Sequence, residues 1–186
     1  MGKVFLDMAI SLDGFISGPN NTDGGLHDWY FSETGKSQQI LEELQSDIGA
    51  MILGARAFGD SPDGFDTPYK ISHFVVTHTP RATVSRDGTE FNFVTDGIHS
   101  ALEQAKAAAR DKDVCIAGGA NTAQQFLNAG LLDEIQLHLV PVLLGDGVRL
   151  LEHFGTGIKL EHSRVIEAPL ATHLRYRVVK REENHE

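Results

Sequence analysis

The sequence predicts an α/β fold: three layers, a mixed and mostly parallel central sheet, flanking helices and an antiparallel C-terminal hairpin. Two observations carry that prediction. Short apolar runs alternate with longer segments of helical periodicity, the pattern of strands interleaved with helices. Towards the C-terminus the period changes to two, with Ile135, Leu137 and Leu139 alternating with Gln136 and His138, and Leu174, Tyr176 and Val178 alternating with His173, Arg175 and Arg177. That is the signature of antiparallel strands. A chain of 186 residues then reads as one domain over residues 1–180, with 181–186 a loose tail.

Val4 to Ile10 is the first strand. Ser11 to Tyr30 follows as a long loop containing Asp13-Gly14, Gly18-Pro19-Asn20-Asn21 and Asp23-Gly24-Gly25, and loops of this length in compact domains usually carry function. Ile40, Leu41, Leu44 and Ile48 fall at helical spacing and predict a helix from about Glu33 to Asp47. Ala50 to Leu53 is a second strand, Ala55 to Gly59 a short helix, and Asp60 to Lys70 a loop. His73 to Thr77 and Phe91 to Thr95 are the next strands. Ile98, Leu102, Ala105 and Ala109 form one stripe, so Gly97 to Arg110 is an amphipathic helix that returns to strand Val114 to Ala117. Gly118-Gly119 opens a further helix with Ala123, Phe126, Leu127 and Leu131 inward.

Sixteen Lys and Arg against 26 Asp and Glu give a formal charge of −10. That balance argues against nucleic acid or an anionic membrane as partner, and it leaves a small-molecule ligand held by a local basic cluster. A single cysteine, Cys115, excludes an internal disulfide and a cysteine-rich zinc site. No apolar stretch reaches the roughly 20 residues that span a bilayer, and no signal-peptide pattern opens the chain. A cytoplasmic protein is expected. The histidines form no His-Glu-x-x-His, so no metal site is expected, and no Gly-x-Ser-x-Gly elbow marks a hydrolase.

Three strand ends carry chemistry. Val114 to Ala117 runs into Gly118-Gly119-Ala120-Asn121-Thr122 and a helix; this is either a tight turn or a backbone cradle for a phosphate. Gly54-Ala55-Arg56 puts a cation in a first helical turn, where a bound anion would make it comfortable and solvent is the alternative. Thr77-His78-Thr79-Pro80-Arg81 adds hydroxyls, an imidazole and a guanidinium at the same edge. Together they suggest a nucleotide crevice at the carboxyl ends of the strands. Asp13 opens the long loop as a turn residue or a carboxylate aimed into that crevice. Asp28-Trp29 closes the loop, with the indole a lid over a planar ligand or an anchor. Gly145-Asp146-Gly147-Val148-Arg149-Leu150 lacks the third glycine of a dinucleotide fingerprint and reads as a turn.

Ser-Leu-Asp-Gly at 11–14, Ile-Leu-Gly-Ala-Arg at 52–56, Val-Val-Thr-His-Thr-Pro at 75–80, Ile-Ala-Gly-Gly-Ala at 116–120, Asp-Glu-Ile at 133–135 and Pro-Val-Leu-Leu-Gly-Asp-Gly at 141–147 occur in an order that resembles the dihydrofolate reductase-like superfamily. Within it the chain is most similar to the reductase domain of riboflavin biosynthesis and its stand-alone bacterial relatives. The resemblance implies NADPH across the strand ends and hydride transfer to a C=N or C=O carbon of a heterocyclic or sugar-derived substrate. It further implies cofactor phosphates at Gly54, Ala55 and Arg56, the adenosine part at Thr77, His78 and Thr79, and the pyrophosphate at Gly118, Gly119, Ala120, Asn121 and Thr122. Asp13 is the expected polar group facing substrate. Glu33 is a second candidate acid, on the alternative that the protein reduces dihydrofolate or a pteridine; a non-catalytic nucleotide-binding module is the other alternative. Relatives of this fold are often dimers, so a homodimer is expected, built on the C-terminal strands. The sequence also departs from the riboflavin-pathway pattern: residues 45–47 and 60–66 contain no arginine to grip a phosphoribosyl group.

Overall fold

In a computed structural model, residues 2–32, 35–155 and 157–179 are described. Glu33 and the tail at 181–186 lie outside them. In chain order the elements are β1 (Val4–Ser11), β2 (Phe15–Ser17), α1 (Lys36–Asp47), β3 (Ile48–Gly54), α2 (Ala55–Phe58), β4 (Ser72–Val76), β5 (Val84–Arg86), β6 (Thr89–Val94), α3 (Gly97–Ala109), β7 (Asp113–Ile116), α4 (Ala120–Asn128), β8 (Glu134–Val140), β9 (Val148–Arg149), β10 (Lys159–Glu167) and β11 (Thr172–Val179).

Nine of these strands form one sheet in the order β10-β11-β8-β1-β7-β3-β4-β6-β5. The six from β8 to β6 run parallel, while β11 and β10 at one margin and β5 at the other are antiparallel. This is the mixed, mostly parallel architecture read from the sequence. The parallel strands are buried on both faces, which explains their nearly unbroken apolar runs. On one face α3 and α4 pack Ile98, Ala101, Leu102, Ala105, Ala123, Phe126 and Leu127 against Val4, Leu6, Ile52, Phe74 and Ile116. The alanines let α3 lie close: a Cβ at Gly49 would come within 2.8 Å of the Ala109 backbone. On the other face α1 covers Phe5, Met51 and Cys115 with Ile40 and Leu44.

Several details differ from expectation. Strand β3 begins at Ile48, two residues early, because Ile48 turns into the core beside Phe5. Strand β4 ends at Val76, leaving Thr77 beyond it. Leu131 lies past the end of α4. Residues 148–149, expected in a turn, pair with β2 in a two-stranded sheet. Gly147 makes that approach possible, since its φ is +135° and a Cβ there would sit 2.0 Å from the Ser17 carbonyl oxygen. Strands β5 and β10 were not anticipated; β10 is mostly exposed, so no apolar alternation marks it. No described helix is long and apolar enough to cross a membrane.

Candidate active site at the strand ends

The parallel strands all deliver their carboxyl ends to one edge, and at that edge the sheet splits. Strand β1 pairs with β7 only from Val4↔Val114 to Leu6↔Ile116, yet continues against β8 as far as Ser11↔Val140. The chain after β7 stays instead with β3, where Ala117 N–H donates to Ile52 O at 2.9 Å and Gly54 N–H donates to Gly118 O at 2.8 Å. A notch therefore opens between Asp7, Met8 and Ala9 on one wall and Ala117, Gly118 and Gly119 on the other. A crevice of this kind outside the carboxyl ends of parallel strands is where α/β folds bind ligands.

Two of the three predicted junctions converge there. A Cβ at Gly54 would lie 2.5 Å from Thr122 Oγ1, so glycine lets the end of β3 press against the first turn of α4. Gly118, with φ +124°, faces Met8 Sδ, and the Gly118–Gly119 peptide is cis. A Cβ at Gly119 would meet nothing within 4 Å, so the backbone before α4 borders open space. The first amides of α4 have no partner within the helix and adjoin that space. Ala55 and Arg56 in α2 are exposed. Thr77, His78 and Thr79 follow β4 at the same edge; Thr77 N–H donates to Val94 O at 3.0 Å, Thr79 N–H donates to Thr77 Oγ1 at 3.1 Å, and His78 is exposed. Arg81 is spent otherwise: its guanidinium donates to the Ser61 and Pro62 carbonyls and stacks over Phe58 and Phe93.

Asp13 stands on the far side of the notch, and both its oxygens are occupied. Ser11 Oγ donates to Oδ1 at 2.6 Å, Leu144 N–H to Oδ1 at 3.1 Å and Gly145 N–H to Oδ2 at 2.7 Å. The Ser11 hydroxyl first, then the Gly145 and Leu144 amides, pull this carboxyl down to about 2. A group so acidic holds no proton to give at neutral pH. In this geometry Asp13 ties the turn after β1 to the 141–147 loop. Trp29 is buried, 2% exposed, beside Leu26, Ala9, Leu41 and Val140. It is the anchor of its loop here, and its neighbour Asp28 is exposed.

Beneath Trp29 lies a polar assembly that the sequence reading missed. The register of β8 and β11 sets His138 directly opposite His173. Their Nδ1 atoms are 2.7 Å apart, His138 Nε2 is 3.0 Å from Asp7 Oδ1, and His173 Nε2 is 3.1 Å from Ser37 Oγ. One set of tautomers satisfies every contact. His138 donates from Nε2 to the carboxylate and so accepts at Nδ1; His173 donates there and accepts from Ser37 at Nε2. Gln136 Nε2 donates to the same Asp7 oxygen at 2.9 Å. Burial, then the neighbouring His138, push the His173 imidazole down to about 4. The Tyr30 and Tyr69 hydroxyls pair with each other near Asp7, and burial raises both phenols above their ordinary value. Trp29 stacks 4.2 Å from the His138 ring with its Nε1 unpartnered among the described residues. The available signal was Asp7 itself, a carboxylate in the middle of an apolar strand. Among the described residues no cluster of three or more His, Cys, Asp and Glu could hold a metal ion.

The fold is that of the dihydrofolate reductase-like α/β class. Dihydrofolate reductase from Enterococcus faecalis, solved with NADP(H), superposes with a TM-score of 0.63 at 14% identity over 96% of this chain and 98% of that one. The chain belongs to the RibD C-terminal domain family, whose model matches residues 2–171. A putative riboflavin biosynthesis protein from Shewanella sp. PV-4 superposes with a TM-score of 0.76 at 20% identity, covering 96% of this chain and 99% of that one. Among curated relatives, YyaP of Bacillus subtilis is 28% identical over 156 residues, 78% of either chain. The riboflavin biosynthesis protein RibD of Corynebacterium ammoniagenes is 27% identical over 161 residues, 81% of this chain and 46% of that protein.

Proposed function

We propose that the protein is an NADPH-dependent oxidoreductase that passes a hydride to the C=N or C=O carbon of a small heterocyclic or sugar-derived substrate. The observation that carries this reading is the notch between β1 and β7 with its glycine wall. The residues present fit a nicotinamide dinucleotide, because the open space over Gly119 admits a ligand against the backbone where any side chain would obstruct it. The amides of Ala120, Asn121 and Thr122, in the first turn of α4, would serve as donors for a pyrophosphate. Gly54, Ala55 and Arg56 would hold phosphate, with Arg56 the cation that prefers a 2′-phosphate, and Thr77, His78 and Thr79 would line the adenosine end. When bound, the reduced nicotinamide supplies the hydride. The loop that carries Leu26 and Trp29 excludes water from the notch, and Asp13 holds the opposite rim in place.

The test is consumption of NADPH, followed by its absorbance, against a panel of heterocyclic imines, aldehydes and ketones, dihydrofolate included. Turnover of any member is expected; NADPH bound but stable before the whole panel would replace this reading by a nucleotide-binding module. Arg56→Ala should weaken NADPH about tenfold while leaving NADH nearly unchanged, the usual effect of removing one charge-assisted contact. We also propose a homodimer through the C-terminal strands, where β10 has no neighbour on its outer edge among the described residues. Light scattering that returns a 20.3 kDa particle would refute it.

A further inference from the structure

Asp7 occupies an unusual position. It is the first residue of β1 beyond the last β7 pair, so it sits at the base of the notch, on the α1 face of the sheet. Its side chain is 19% exposed in an otherwise buried neighbourhood, and His138, which donates to it, is 1% exposed. Oδ1 takes both available donors, Gln136 and His138, and Oδ2 takes none among the described residues. Among the described residues no lysine or arginine pairs with it either: Lys3 and Arg175 on the same face both engage Glu134. A carboxylate partly withdrawn from water without a cation is costly unless something else compensates it. The neighbouring phenols of Tyr30 and Tyr69 are turned to each other.

We propose that Asp7 is a substrate-recognising carboxylate, fixed by Gln136 and His138 so that its second oxygen accepts from a planar N–H donor, and that the site takes amidines, guanidines or amino-substituted heterocycles and rejects anions. The proposal rests on reading the notch as a nicotinamide site, since that places the reacting ring beside Asp7. A carboxylate and an amidinium are geometric partners, forming two parallel charge-assisted hydrogen bonds. An anionic ring in the same place meets an unscreened like charge. The absence of arginine at residues 45–47 and 60–66 and the engagement of Arg81 with carbonyls point the same way.

The experiment uses benzamidine, benzamide and benzoate as probes, three rings of one shape carrying a cation, a neutral amide and an anion. Each is titrated into the full-length protein with and without NADPH, following fluorescence of the single tryptophan, Trp29, which stacks on His138. Benzamidine should bind best, benzamide more weakly and benzoate not at all, and Asp7→Asn should lower benzamidine affinity at least tenfold and benzamide affinity much less, because only the cation loses a charge-assisted partner. Benzoate binding as well as benzamidine to the wild type, no benzamidine binding, or Asp7→Asn binding benzamidine as the wild type does would each overturn the proposal. If the probes obey the order but NADPH does not bind, Asp7 keeps its role and the nicotinamide reading falls.

Discussion

The two faces of the central sheet are made to different rules. The face under α3 and α4 is packed mainly by apolar side chains, a continuous cluster from Val4 to Leu150 with Phe126, Ala101, Ala105, Ile52 and Ile116 fully buried. The face under α1 begins the same way at Phe5 and Met51, then changes within one strand repeat to Asp7, Gln136, His138 and His173, roofed by Trp29. A buried polar chain contributes little net stability compared with apolar packing of equal volume. Its concentration on the face that borders the notch separates the part of the molecule that holds the fold from the part proposed to meet a ligand.

That contrast gives a ranked set of expectations. Phe126→Ala, on the apolar face, should cost about 3–5 kcal/mol in urea unfolding, because a fully buried aromatic leaves a cavity. A loss below about 1 kcal/mol would mean that this face is not the main core. On the polar face, His138→Leu leaves His173 Nδ1–H and Asp7 short of a partner and should cost about 1–3 kcal/mol. The double variant His138→Leu/His173→Leu should cost less than the two single losses added together. Strict additivity in that cycle would show that the imidazoles are not hydrogen-bonded.

Acid should act through the polar face as well. Burial holds His173 down to about 4 and lowers His73, whose Nε2 has no partner among the described residues. Unfolded histidines take up a proton near ~6.5, so below that pH the unfolded chain binds more protons than the native one. Stability is therefore complete above about 6.5 and falls as the pH drops towards about 4. Denaturation midpoints in His173→Gln should show a shallower fall; an unchanged slope would mean that His173 titrates normally. The smallest effect should come from the rim of the same face. Replacing Arg164, paired with Glu43 at the surface, by Met should change stability by less than about 1 kcal/mol.

The same contrast explains what the sequence could and could not tell. Ile98, Leu102, Ala105 and Ala109 fall at helical spacing because α3 packs on an apolar sheet, so periodicity alone locates the element and its inward face. The glycines at 54 and 118 were legible for a similar reason, since a close approach to Thr122 excludes a side chain at 54 and a φ of +124° favours glycine at 118. The polar face left only scattered marks. His138 and His173 looked like the outward residues of half-exposed strands, and nothing local reveals that β11 returns with His173 opposite His138. Asp13, whose Asp-Gly context suggested a turn or a site carboxylate, joins loops separated by 132 residues, a contact that no local pattern encodes. Trp29 could be placed as lid or anchor only once its neighbours were known.

The central claim is that the notch between β1 and β7 receives a reduced nicotinamide. It is tested most directly by titrating NADPH into the wild type and into Gly54→Val, following Trp29 emission and nicotinamide fluorescence together. The account predicts micromolar binding to the wild type, much weaker binding of NADH, and loss of NADPH binding in Gly54→Val, where the new side chain is forced against Thr122. Absence of NADPH binding to the wild type, or equal binding to the variant, would contradict it.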